Sequence, residues 1–258
     1  MKNYLTLLNK GTKIGGAAVG SAVGSLAGPV GTVAGAAIGA VVGEVCVVVL
    51  DDLAKRLLSP REEQRVAGVA ALAIDGIRER LLLEPKRDDG FFDSDADTPS
   101  PAEELFEGVL LSAKQEHEQL KLPYLANFYT NLIFDSSVKR AEANYLLSLA
   151  ESLTYRQLCL LGLKSRLQKG KFEFRRAGWS YGASVSPETF DLTQQALYLY
   201  QRQLFHSKPK EIRAEPSFEV NVARPASATL SSIGQRLANL MALQNIDKDE
   251  LEAVAASW

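Results

Sequence analysis

Asp93, Asp95 and Asp97 alternate as the first ligands of a calcium loop do, and they are the obvious candidates for chemistry in this sequence. The pattern fails at its next requirement. Thr98 stands where the loop needs glycine for its sharp turn, and no glutamate follows at the offset that would supply the bidentate ligand. His117 lies in "QEHEQ", but no second histidine follows at helical spacing, so a zinc-protease helix is excluded. His206 falls near the end of a helical pattern and reads as a surface residue. Ser136 and Lys139 match S-x-x-K without the companion motifs that make that pattern a nucleophile and base. Cys46 and Cys159, the only two cysteines, have no base partner in view and read as core thiols in a reducing compartment. Acidic pairs such as Glu62–Glu63 and Glu103–Glu104 sit in first turns of helices, where the helix dipole accounts for them. No phosphate-binding glycine motif is present. The expectation is therefore no catalytic residues, no cofactor, no metal and no enzyme.

The distinctive spacing belongs to glycine. Residues 15–43, "GGAAVGSAVGSLAGPVGTVAGAAIGAVVG", carry no charge. Gly16, Gly20, Gly24 and Gly28 step by four, as do Gly31, Gly35, Gly39 and Gly43. The two sets are mirror images about the Pro29–Val30 link. Residues four apart share one face of a helix, so each set makes a stripe without side chains. Each glycine costs about 1 kcal/mol against alanine in a helix, and close backbone packing along small-residue stripes can offset that cost. Reversal at "GPVG" would pair 16 with 43, 20 with 39, 24 with 35 and 28 with 31. Lys13 and Glu44 would then meet at the open end.

An arm of fourteen helical residues rises about 21 Å, short of a bilayer core of about 30 Å. That fits a re-entrant hairpin, a thinned bilayer or insertion after assembly. Basic residues flank both ends: Lys2, Lys10 and Lys13 before, Lys55 and Arg56 after. They would keep both ends cytoplasmic. The same stripe also fits a hairpin packed inside a soluble protein or oligomer, and the sequence leaves both open.

Residues 1–153 carry a balance of −6 and residues 154–258 one of +4, which suggests two units. The expected organisation is a glycine-zipper hairpin region over 1–58, an amphipathic helix over 59–83 and an acidic linker over 84–100. A helical domain over 101–153 and a winged-helix-like module over 154–258 follow. The fold class is mainly α, with an α+β C-terminal module. Start signals stand at Ser59-Pro60-Glu62, Ser100-Pro101-Glu103, Thr154-Gln157 and Asp247-Glu250. Val66, Val69, Ala70, Ala73, Ile77 and Leu81 recur at helical spacing, and Gly68 and Gly76 suggest a close helix contact. The linker is rich in turn formers and reads as a solvated hinge.

In the basic half, a strand is expected near Phe172–Phe174 and a helix over 187–208. Two extended stretches follow within 216–232, around a turn at Arg224–Pro225. Helix, helix, two strands and helix is the order of a winged helix. Residues 164–213 hold ten Lys/Arg against four Asp/Glu, with Trp179, Tyr181, Tyr198 and Tyr200 nearby. No helix carries a dense basic stripe, so nucleic acid is the less favoured partner and a solvated surface over an aromatic core the favoured reading.

Leu125-Ala126-Asn127 within "LPYLANFYTNLIFD", the Leu153-Thr154 helix start and "LSSIGQRLANLM" (230–241) carry a family likeness. The chain resembles uncharacterised bacterial glycine-zipper hairpin proteins and, more distantly, abortive-infection alpha-type proteins, over 100–140 residues of the C-terminal two thirds. The resemblance implies a role in phage defence and transfers no catalytic residue. The expected function is a non-enzymatic, homo-oligomeric effector at the cytoplasmic membrane, its C-terminal portion cytoplasmic, acting by glycine-zipper insertion among lipids. The alternative is a soluble adaptor with a buried oligomerisation hairpin and a module that binds a protein partner or nucleic acid.

Overall fold

The computed structural model describes residues 33–54, 56, 58–95, 97–166, 171–174, 186–207 and 228–258. They fall into two compact units, Met1–Ser152 and Leu153–Trp258. Among the described residues the fold is mainly helical, with one small two-stranded sheet.

The first unit contains α1 (Val33–Ala54), α2 (Pro60–Leu81), α3 (Pro101–Gln115), α4 (Leu122–Leu132) and α5 (Arg140–Ser152). Helix α2 starts at Ser59, whose N–H donates to the Glu62 carboxylate at 2.7 Å. Helix α3 starts with a reciprocal box: Ser100 N–H donates to Glu103 at 2.7 Å, and Glu103 N–H donates to the Ser100 hydroxyl at 3.2 Å. Such pairs satisfy donors that the first turn leaves orphaned. Val66, Val69, Ala70, Ala73 and Ile77 on α2 are buried, facing α3 and α4. Across from them lie Leu105, Phe106, Leu110, Leu125, Phe128 and Tyr129, none more than 0% exposed. Gly76 brings α2 close to α4: a Cβ there would lie 3.1 Å from the Thr130 methyl, and the Thr130 hydroxyl donates to the Ala73 carbonyl at 3.2 Å.

The second unit is built around α6 (Tyr155–Lys164). The Thr154–Gln157 box opens it, with Thr154 N–H donating to Gln157 at 2.9 Å and Gln157 N–H donating back at 3.2 Å. Every residue from Gln157 to Leu163 is buried, because α7 (Pro187–Gln201), α8 (Ser232–Leu240) and α9 (Lys248–Ser257) all pack on this helix. Strands β1 (Phe205–Ser207) and β2 (Ala228–Leu230) pair antiparallel, with Phe205 opposite Leu230 and Ser207 opposite Ala228.

Several local expectations need correction. Residues 171–174 are not a strand; the Phe174 ring meets Trp258 edge-on at 5.9 Å instead. The helix expected over 187–208 ends at Gln201, because Gln203 takes a left-handed φ of 56° that turns the chain into β1. His206 therefore sits in a strand. Glu250 does not close a box with Asp247. It accepts a hydrogen bond from the Tyr155 hydroxyl, and Asp247 caps α9 through Asp249 N–H at 3.0 Å. The turn at Arg224–Pro225 lies outside the described residues.

Candidate functional site

Of the glycine row, Gly35, Gly39 and Gly43 lie on α1, spaced by one helical turn each, and Gly43 is buried. Gly16, Gly20, Gly24, Gly28 and Gly31 lie outside the described residues, as does Lys13. Glu44 is exposed on α1. Only part of the second arm of the mirrored pairing therefore lies among the described residues.

That arm shows how the glycine run is joined to the rest. Helix α1 continues without a break from Val33 into a face that the helical unit buries. Val42, Val45, Cys46, Val49 and Leu53 are at most 6% exposed. They recur at helical spacing, and α1 packs on α3 and, less extensively, on α2. Cys46 lies near Tyr129 of α4. Burial pushes the Tyr129 phenol well above its ordinary range, and the neighbouring thiol adds to that. Val41, Val47 and Val48 on the other side of α1 are 37%, 40% and 49% exposed.

Just past the helix, the Arg56 guanidinium bonds Asp52 at 2.6 Å and reaches Glu107 of α3 at 2.5 Å. The Asp52 contact is an i,i+4 pair legible in sequence. The Glu107 contact spans 51 residues, and no local pattern announces it.

The segment 84–100 is less free than its composition suggests. Arg87 is 5% exposed and Phe91 3%. The Arg87 guanidinium donates to the carbonyls of Leu132 at 3.2 Å and Val138 at 2.9 Å. It also grips both oxygens of Asp89, at 2.7 and 2.8 Å, and lies 4.2 Å over the Phe91 ring. The Arg87 hydrogen bonds hold Asp89 well below the usual carboxylate range against the opposing effect of burial, and Lys139 at 2.7 Å adds to them. So Arg87 and Phe91 correct the reading of a wholly solvated hinge: charge-assisted bonds to carbonyls outweigh the acidic composition around them.

The remaining candidates disperse. Lys139, half of the S-x-x-K pair, spends its ammonium on Asp89 and is 68% exposed, and Ser136 is exposed. The His117 side chain is 91% exposed. Cys46 and Cys159 are buried and not joined in a disulfide. Among the described residues no group of three or more His, Cys, Asp or Glu could hold a metal ion. Asp95 and Thr98 form an isolated bridge across the acidic turn.

No protein-family model, curated protein or solved structure matches the chain. Its candidate site therefore has to be read from its own residues. Those are the glycines of α1, the buried residues Val42, Val45, Cys46, Val49 and Leu53 of the same helix, and the Arg56–Glu107 pair just past its end. Among the described residues, no helix is long and apolar enough to cross a membrane.

In the second unit the aromatic residues collect at the sheet. Phe205 stacks on Trp258 at 5.9 Å and meets Tyr200 at 5.6 Å. The Lys164 ammonium lies 4.3 Å over Phe174. Arg156 is committed to Glu188 and Asp191 on α7, at 2.9 and 3.2 Å. Trp179 and Tyr181 lie outside the described residues.

Proposed function

We propose that this chain is a non-enzymatic, membrane-associated effector that works by inserting and self-assembling its glycine hairpin. The two arms, residues 14–28 and 31–50, would pack along Gly16, Gly20, Gly24, Gly28, Gly31, Gly35, Gly39 and Gly43. Lys13 and Glu44 would close the base. Copies packed seam to seam would perturb the cytoplasmic membrane, and the helical parts would remain in the cytoplasm. The role in phage defence rests on the resemblance to abortive-infection alpha-type proteins. The second unit serves in this reading as a winged-helix-like module that meets a protein partner, supported by two helices followed by an antiparallel strand pair.

One observation carries the reading. The glycine-rich run enters an unbroken helix whose far end is built into a folded unit. A flexible leader would not be held that way. A rigid connection lets events in the folded unit reach the glycine seam, and small-residue stripes are the means by which helices associate in lipid.

The test is depolarisation of cells expressing the protein. Replacing Gly24 and Gly35 with leucine separates the seam and is expected to abolish depolarisation while the protein still accumulates. Equal depolarisation by parent and variant would sink the mechanism. A second reading, a soluble adaptor with a buried oligomerisation hairpin, draws support from the burial of Val42–Leu53. Recovery of all the protein in a detergent-free high-speed supernatant would favour it, and salt-dependent DNA retention would add nucleic acid as its partner.

A further inference from the structure

We infer that the seat of α1 on the helical unit is an autoinhibitory contact, latched by Arg56 and Glu107. The inference rests on the membrane reading above and adds its control. Val42, Val45, Cys46 and Val49 are buried against the first unit, yet they belong to the arm over 31–50 that the membrane reading requires, and Leu53 extends the same seat just past Asp51 and Asp52. From Val33 to Leu50 α1 rises about 26 Å, and from Val33 to Val41 only about 12 Å. Neither length spans a bilayer core of about 30 Å, and a re-entrant hairpin or a thinned bilayer would need the longer one. The seated residues can serve the soluble core or the lipid, and not both at once. The seated state is thereby the inactive one.

The outward side of α1 agrees. A helix at the edge of a soluble bundle needs one apolar stripe, and one that is apolar all round belongs in a larger core or in lipid. Here Val41, Val47 and Val48 stand exposed behind the seated stripe, and Glu44 is the single charge between Val33 and Leu50. The seat is built mostly from small side chains. Four of its five residues are valine or cysteine, whereas α3 and α4 meet through leucine, phenylalanine and tyrosine. Burial strength follows apolar area, and layers with less of it open first. The Arg56–Glu107 pair joins the chain just past α1 to α3.

The test uses Glu107→Lys, Arg56→Glu and the double exchange in the full-length chain. Both positions are exposed, and circular dichroism checks that the helices persist. Iodoacetamide labelling of Cys46, read by peptide mass spectrometry without lipid, reports seat opening. Dye release from phosphatidylethanolamine–phosphatidylglycerol vesicles reports membrane action. Each single variant is expected to raise both about two- to fivefold, the range that loss of an exposed ion pair permits, and the exchange is expected to restore both. Labelling unchanged in the single variants overturns the latch. Labelling that rises while measurable wild-type dye release stays constant overturns the autoinhibition and spares the membrane reading. No dye release from any variant, with labelling still responsive, removes the membrane reading and the inference with it.

Discussion

The α-carbon of Gly234 faces the carbonyl oxygen of Leu204 so closely that a methyl group there would lie far inside van der Waals contact. The approach is fixed from both sides. Ser231 N–H donates to that same carbonyl at 3.0 Å, and the Ser231 hydroxyl caps Gly234 N–H at 3.0 Å. The start of α8 is thus clamped to the chain just before β1. Gly234→Ala must push one backbone off the other, and overpacking of this kind costs about 1–3 kcal/mol. Urea unfolding followed by tryptophan fluorescence reads this directly, because both tryptophans, Trp179 and Trp258, belong to the second unit. A midpoint equal to that of the parent would show that the clamp yields freely.

Ala242 gives the opposite case. It adopts a φ of 53° between α8 and the turn Leu243–Asn245. A residue with a Cβ pays about 1 kcal/mol in that region, and glycine does not. Ala242→Gly is expected to raise the stability of the second unit by up to about 1 kcal/mol, less the entropy glycine adds to the unfolded chain. The same urea titration measures it, and a lower midpoint would refute the account.

Arg87 is buried and donates to the carbonyls of Leu132 and Val138, the first of which also accepts from Asp135 N–H at 3.3 Å, and its removal takes a charged donor away from buried polar atoms. Arg87→Ala is expected to destabilise the first unit by about 3 kcal/mol, read from thermal unfolding by circular dichroism. Arg87→Lys should recover part of this, since an ammonium keeps the charge but not the forked geometry. If alanine and lysine variants unfold with the parent, segment 84–100 is a passive connection after all.

Asp89 makes the same clamp sensitive to acid. Its folded pKa is depressed, first by Arg87 and then by Lys139. A depressed carboxylate contributes stability that is full above its unfolded pKa, about 3.9, and is lost as pH falls through the folded value. Stability of the first unit is therefore expected to decline as the pH falls below about 4, and Asp89→Asn should flatten that decline. An unchanged slope in the variant would assign the acid sensitivity to other carboxylates, of which Glu104 beside Arg140 is the next candidate.

The parts legible in the sequence are those settled within a turn of helix. Ser100 with Glu103 and Thr154 with Gln157 state their boxes in four residues, and the chain makes them. The stripe from Val66 to Ile77 states its buried face by period alone. What failed depends on residues far away in the chain. Glu250 follows the box rule locally, but Tyr155 claims it from 95 residues off. Arg87 lies in an acidic, turn-rich stretch, yet carbonyls at 132 and 138 take it into the interior. Gly35, Gly39 and Gly43 fall on one helix, as their spacing states, but the seat of Val42, Val45, Cys46, Val49 and Leu53 has no local signal, because it depends on α3, which begins about fifty residues later.

Thiol chemistry provides the last check, on the interior of both units at once. Cys46 is 0% exposed and Cys159 2%, one in each unit. A buried thiol is shielded from a water-soluble disulfide reagent until the structure around it opens. The native chain is expected to react at neither site over minutes, and both are expected to react at once in denaturant. Cys46→Val, close in size and fully apolar, should change stability by less than about 1.5 kcal/mol. Cys46→Ser places a hydroxyl among valines and should cost about 1–3 kcal/mol. Fast native labelling at Cys46 alone would mean that α1 leaves its seat readily without any trigger, and the first unit would then have to hold together through α2, α3 and α4 unaided.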